Sequence, residues 1–260
     1  MKYINLHKHY FKLFAFVFLA ILFTNCNTKK FYKTNYAHSF IHVGSLVVDD
    51  ALVNSFLTPY RSHIQKDLSK ILAYNPQNLD KNDGKWQNKM TNFYADAILE
   101  TATPVYSKQT GNSIDFCLLN YGGIRSTIAK GNITTRTAFD IMPFENNAVV
   151  LKVSGKVVWD LSNFIVKNKV AHPLSGIEIF VDKNSSTITH IKINNILVEK
   201  TKEYYLVTND YLSKGGDNMQ FLLNATENHS LNFKLRNMFI DYFTKIDTLN
   251  PSVKPRIIFE

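Results

Sequence analysis

Asn120–Asn147 reads NYGGIRSTIAKGNITTRTAFDIMPFENN. An apolar run, Phe116-Cys117-Leu118-Leu119, leads into it and has the character of a strand that ends where Asn120 begins. The glycine pair Gly122-Gly123 lets a ligand come close to the backbone. Arg125 presents a planar fork of donors suited to phosphate or carboxylate. Phe144, just after Pro143, offers a flat face, and Asn146 can donate and accept hydrogen bonds at once. Anion site, base face and base edge together suit a nucleotide. Strand, glycine turn and arginine is also a common structural construction, so this stretch alone leaves both readings open.

Working outward, the chain alternates helical and strand patterns without a strict β-α repeat, which predicts an α+β fold of layered sheets flanked by helices rather than a doubly wound sheet. Apolar residues recur at helical spacing from Val53 to Leu72, with Asp49 and Asp50 placed to open the helix and Pro59 predicting a restart capped by Thr58. A strand is predicted at Val43–Val48, and a second helix from Gln87 to Thr103. On that helix Asn92 and Asp96 share a face, which predicts a local polar contact. Thr134 or Thr135 caps a short helix, Ala148–Val153 is a strand, and Ser154 opens a helix. Ile177–Val181 and Thr187–Ile193 form strands across the Lys183-Asn184-Ser185-Ser186 turn. Tyr204–Thr208 is a strand running into a second glycine loop, Asn209-Asp210-Tyr211-Leu212-Ser213-Lys214-Gly215-Gly216-Asp217. A last helix is predicted over Leu231–Ile246 and an edge strand at Arg256–Phe259.

The first segment has a different character. Lys2, Lys8 and Lys12 precede an apolar run, Leu13–Phe23, that is short for a membrane span of about 20 residues and fits the core of a secretory signal. Leu22-Phe23-Thr24-Asn25-Cys26 resembles a lipobox, with Asn25 where a small residue is usual. The expected organisation is a lipoprotein signal at 1–25, a tether at 26–42 beginning with lipidated Cys26, and one domain at 43–260. An uncleaved signal anchor is the alternative. Either places the body outside the cytoplasm, anchored to a bacterial membrane and facing the periplasm. With Cys26 so used, Cys117 is left as a buried apolar residue and no intramolecular disulfide is expected. The formal net charge is +9, three of the positive charges being the leader lysines. The rest is spread along the chain without the basic stripe interleaved with aromatics that nucleic acid requires.

NYGGIR, then GNITTRTAFDIMPFENN, then YLSKGGDN occur in order over most of residues 43–260. Together they resemble the C-terminal, substrate-binding domain of the 5′-nucleotidases. The resemblance implies a nucleotide or nucleoside ligand whose base lies between Phe144 and Tyr211. It implies Asn120 on the base side, Arg125 on the ribose or phosphate side, Asn146 on the base edge and Asp217 on the ribose hydroxyls. Gly176 is implied in the base pocket. The chain departs from the family pattern in three places. Only Lys81 or Lys85 lies where an arginine precedes the Asn92 helix, Tyr211 replaces a phenylalanine, and Asn218 replaces a glycine.

The family's metal-binding motifs, Asp-X-His, Gly-Asn-His and a late His-X-His, do not occur beyond the leader. His7 and His9 lie in the leader, and His38 and His42 in the tether. His63, His172, His190 and His229 are dispersed, and no nucleophile triad or phosphate loop of the NTPase type replaces them. The expectation is therefore a chain with no cofactor and no catalytic centre of its own, divalent metals belonging to a separately encoded metallophosphoesterase partner. The alternatives are a standalone nucleotide- or nucleoside-binding lipoprotein and a diverged scaffold without ligand.

Overall fold

The structure, a computed structural model, describes residues 14–16, 39–40, 44 and 47–260. Cys26, most of the signal and most of the tether lie outside the described residues. So do 43, 45 and 46 of the strand predicted at Val43–Val48, and of the rest of it 44 and 47 are bends. The chain divides into two units, Met1–Ala51 and Leu52–Glu260, and the sheets belong to the second.

At the centre of that unit is a five-stranded sheet. β2 (Phe116–Leu118), β4 (Asn147–Ser154), β5 (Leu174–Ser175), β9 (Glu203–Asn209) and β10 (Glu227–Lys234) lie in the order β10-β4-β9-β2-β5. Strand alternation sends side chains to opposite faces. Cys117, Ala148, Val150 and Val207 enter one apolar cluster; Phe116, Leu118, Val149, Leu151, Val153 and Leu206 enter another. The first is closed by α2 (Lys89–Thr110), α3 (Thr135–Ile141) and α5 (Leu235–Lys245). The second is closed by α4 (Gly155–Asn168) and a four-stranded sheet of β6 (Ile177–Val181), β7 (Ile188–Ile193), β8 (Ile196–Leu197) and β11 (Ile257–Phe259). Its strands lie in the order β11-β6-β7-β8. A small antiparallel pair, β1 (Ile71–Asn75) with β3 (Gly131–Thr134), completes a layered α+β fold.

Topology positions the functional loops. β2 and β9 run parallel, so both end at one edge of the sheet. β4 runs antiparallel to β9 with Ala148 opposite Asn209, so the segment before β4 reaches the same edge. Asn120, Asn146 and Tyr211 thus leave the sheet side by side although 91 positions separate the first from the last.

Several elements differ from the expectations. The first helix, α1 (Ala51–Leu68), runs unbroken through Pro59, and the Thr58 hydroxyl donates back to the Asn54 carbonyl instead of capping a restart. Ile71 and Leu72 continue the helical spacing but belong to β1, because periodicity does not show where one apolar element passes to the next. α2 continues through Pro104 to Thr110, where Gly111 ends it in the left-handed region at φ 78°. Leu231 sits one helical turn before Leu235 in sequence but lies in β10, and the last helix begins only at Leu235. Asn92 and Asp96 do not pair locally. Asn92 donates to the Ser252 and Lys254 carbonyls, and Asp96 accepts from Arg256 and Ser175. Both residues tie α2 to the segment that enters β11.

Candidate nucleotide site

Asn120, Gly122, Arg125, Phe144, Asn146, Tyr211 and Asp217 line one cleft of about 330 Å³ at the sheet edge. That volume lies at the small end of ligand pockets, roughly 300–1,000 Å³. Six of the seven residues implied by the resemblance meet here. Gly176 does not: it lines a separate cleft with Lys192, Lys254 and Arg256. Its role there is conformational, since its φ is +77° and a Cβ would come within 2.5 Å of the Asp115 carbonyl oxygen.

The wall after β2 is held from below. The Asn120–Gly123 backbone closes a 3-10 turn, and the buried Tyr94 hydroxyl on α2 reaches the carbonyls of both Gly123 and Ile141. The Arg125 amide donates to the Ile141 carbonyl at 3.1 Å. The second motif is thereby bonded to the first. His172, just before β5, accepts the Tyr121 amide on Nδ1 at 3.3 Å. Burial pushes its pKa down to about 4, against the pull of Asp217, so the ring is neutral near pH 7.

Lys81 stands on the same wall. Its ammonium donates to the Ile124 carbonyl at 2.6 Å and lies 4.5 Å from the centre of the Tyr121 ring. Burial lowers its pKa, and the nearby Arg125 charge lowers it further. Two cations therefore neighbour one another beside the cleft, a point charge and a fork. Arg125 also lies 5.8 Å from the Phe144 ring centre, within cation–π range.

Phe144 and Tyr211 are 39% and 46% exposed, and among the described residues neither packs on another aromatic ring. Large aromatics are ordinarily buried in part by such contacts, so two open rings on one cleft are the feature that asks for a flat ligand. The Phe144 loop is fixed by charge: Glu145 pairs with both Lys234 and Arg236, and the Leu235 amide donates to the Asn146 carbonyl. These two cations depress the Glu145 pKa to about 2.

The Tyr211 loop is fixed by hydrogen bonds. The Tyr211 hydroxyl donates to Asp217 Oδ1 at 2.8 Å and accepts the Asp217 amide at 3.1 Å. Asp217 and Asn218 both hold left-handed backbone, at φ 52° and 64°. Such conformations cost a non-glycine residue of order 1–2 kcal/mol and persist where the surroundings enforce them. Gly216 seats the tyrosine ring; a Cβ there would lie 2.5 Å from Cε1 and Cζ of Tyr211.

Asn209, His172, Gly216 and Glu145 are neighbours of the cleft to which the sequence reading gave no role. Asn209, Gly216 and Glu145 stood inside the quoted stretches, but their partners, like that of His172, became visible only through contacts in the fold. Among the described residues no group of three or more His, Cys, Asp or Glu side chains is gathered to hold a metal ion, and no helix is long and apolar enough to cross a membrane.

An open aromatic pair, a carboxylate, Arg125 and amide side chains in one cleft, with Lys81 beside it, are chemically suited to a flat, hydroxylated, anionic ligand. The model of the 5′-nucleotidase C-terminal domain matches residues 68–224, and the chain belongs to that family. It is 25% identical over 218 residues to the trifunctional nucleotide phosphoesterase YfkN of Bacillus subtilis, covering 77% of this chain and 14% of that protein. It is 24% identical to the 5′-nucleotidase of Vibrio parahaemolyticus, covering 74% of this chain and 33% of that protein. The 5′-nucleotidase precursor of Thermus thermophilus superposes with a TM-score of 0.66 at 21% identity, over 80% of this chain and 43% of that one. The NAD nucleotidase of Haemophilus influenzae follows at 0.61 and 18%, over 81% and 41%. The structural likenesses carry the fold. The chain spans between a seventh and about two-fifths of the length of these relatives.

Proposed function

We propose that this chain recognises a nucleotide or nucleoside, and that it does so as the substrate-binding half of a split 5′-nucleotidase in extracytoplasmic nucleotide catabolism. One observation carries the reading: residues from three separated motifs, all implied by the family resemblance, line a single cleft. The base stacks between Phe144 and Tyr211. Asn146 faces the base edge and Asp217 faces the ribose. Arg125 and Lys81 face the phosphate. A carboxylate suits the ribose because it accepts from hydroxyl donors, and the paired cations suit the anion.

Phosphate release then belongs to a separately encoded metallophosphoesterase that carries the divalent ions. This chain contributes binding energy to the reacting centre by holding the substrate in place. It binds no cofactor and no nucleic acid itself. Cys26 carries the lipid that anchors the body to a bacterial membrane on its periplasm-facing side.

The test is direct. Calorimetry on the purified chain should show binding of adenosine or AMP, and the same preparation should release no phosphate from AMP with or without divalent metal. Pull-down of the membrane-extracted protein should bring a metal-dependent phosphatase that turns over AMP. Turnover by the clean chain alone would overturn the split reading, and silence in calorimetry would overturn nucleotide recognition. Replacement of Cys26 should release the protein from the membrane fraction.

A further inference from the structure

We propose that Asn209 is a positioning residue that sets the hydrogen-bond polarity of the cleft. Through it Asn120 shows the ligand only its amide nitrogen, opposite one acceptor oxygen of Asp217, and the two together read a single ribose hydroxyl. This role rests on nucleotide recognition by the cleft.

The Leu212 backbone N–H can only donate, and it meets Asn209 Oδ1 at 2.7 Å. The Asn209 side-chain nitrogen therefore points the other way, where it donates to Asn120 Oδ1 at 3.0 Å. Asn209 is 1% exposed, so no water competes for that choice. The Asn120 carbonyl is thereby occupied, and its Nδ2 is the end left for the cleft. The Leu212 amide, at the start of a second 3-10 turn, Leu212–Lys214, thus fixes, through two side chains, what the ligand meets.

The other half is set by Tyr211. Its hydroxyl occupies Asp217 Oδ1, leaving Oδ2 as the carboxylate oxygen turned to the ligand. Gly122 locates both groups. A Cβ at Gly122 would lie 3.6 Å from Asn120 Nδ2 and 3.9 Å from Asp217 Oδ2. One donor and one acceptor thus converge on the space over a residue that has no side chain to fill it. A hydroxyl accepts and donates at once and matches that pair; a deoxy position matches neither. The resemblance alone puts Asn120 beside the base, whereas the geometry turns its nitrogen to the same spot as the ribose acid.

Asn209→Asp tests this with little change of volume. One carboxylate oxygen still accepts from Leu212; the other faces Asn120 Oδ1, and acceptor against acceptor turns the Asn120 amide over. The cleft then presents two acceptors to the hydroxyl. Calorimetry with adenosine, 2′-deoxyadenosine and 3′-deoxyadenosine reads the result. In the native chain at least one deoxy analogue binds more weakly than adenosine. In Asn209→Asp adenosine should lose on the order of tenfold, the worth of one well-made hydrogen bond, while that analogue changes by less than about twofold. A purely structural role for Asn209 lowers all three together, and that result overturns the proposal, as does an unchanged preference for the hydroxyl. If Asn209→Asp does not fold, Asn120→Asp reverses the polarity at the ligand end and should erase the same preference; its retention also overturns the proposal. A native chain that binds all three equally defeats this inference alone, whereas one that binds none defeats it together with the nucleotide reading.

Discussion

The two aromatic walls of the cleft are built in opposite ways. Phe144 is carried by a loop clamped at its surface by charge: Glu145, 61% exposed at its side chain, bridges Lys234 and the nearly buried Arg236. Arg236 also donates to the Pro143 carbonyl and lies 4.1 Å from the Phe139 ring centre. Tyr211 is carried by a loop held through hydrogen bonds and packing, without an ion pair: the Asn209 side chain beneath it, Gly216 under its ring, and Asp217 on its hydroxyl. Surface ion pairs weaken with salt and are worth little each. Buried amide networks do not screen and tolerate no unpaired member. The Tyr211 wall is therefore the rigid side of the site and the Phe144 wall the adjustable one.

The largest expected effect breaks the rigid wall. In Gly216→Ala the new methyl would overlap the Tyr211 ring, which is only able to move by giving up Asp217. Stacking is worth about 1–3 kcal/mol per base and the hydrogen bond about 1 more, so nucleoside affinity should fall by about 30- to 700-fold in calorimetry. The melting temperature should move little, because the displaced ring is already half exposed. Retained affinity would show that Tyr211 is not a wall. Phe144→Ala, on the adjustable side, should cost the stacking share alone, about 5- to 150-fold. Equal affinity to the native chain would remove Phe144 from the site.

Acid should separate the Phe144 clamp from the turn after β2. His172, neutral in the folded chain with a pKa near 4, takes up a proton on unfolding near its ordinary value of 6.5. Its folded pKa lies below its unfolded one, so stability is complete above about pH 6.5 and is lost as pH falls from there to 4. The loss is about 3 kcal/mol at full protonation. Denaturant midpoints measured across that window should fall, and in His172→Gln the fall should flatten. Glu145 behaves differently. Its folded pKa near 2 lies below its ordinary 4.5, so its clamp is intact above about pH 4.5 and lost only as pH drops through 2. Between pH 6.5 and 4.5 folding stability therefore falls through His172, whose ring stays neutral in the folded chain, while Glu145 contributes no loss.

The same contrast explains what was legible in the chain. The three motifs were readable because glycine, proline and aromatic residues carry their reasons locally: a bare backbone at Gly122, a rigid approach to Phe144, a turn before Asp217. Strands with strict alternation, such as Ile177–Val181, were read at their boundaries. Elements were misread where one apolar spacing served two structures, as at Ile71 beyond α1 and Leu231 before α5. Asn209, Glu145 and His172 were not legible as site residues because each acts on a partner distant in the chain: Asn209 on Asn120, Glu145 on Lys234 and Arg236, His172 on Tyr121. Gly176 was placed in the base pocket by the resemblance alone; in the structure it stands at φ +77° against the Asp115 carbonyl and lines another cleft.

The smallest effect tests the adjustable wall itself. Glu145→Gln keeps the shape of the side chain and removes the charge that Lys234 and Arg236 share. The Leu235 amide still holds the Asn146 carbonyl, and Arg236 still holds Pro143. The loop is thereby retained but less tightly placed, and affinity should fall only about two- to fivefold at low salt. The informative quantity is the salt dependence. In the native chain, raising the ionic strength to about 1 M shortens the screening length to about 3 Å and loosens the exposed clamp, whereas Glu145→Gln has no such clamp left to loosen. The affinity ratio of native to variant for adenosine, a neutral ligand, should therefore shrink toward one as salt rises. A ratio that stays constant would mean that Phe144 is placed by the backbone hydrogen bonds alone, and that the two walls are equally rigid.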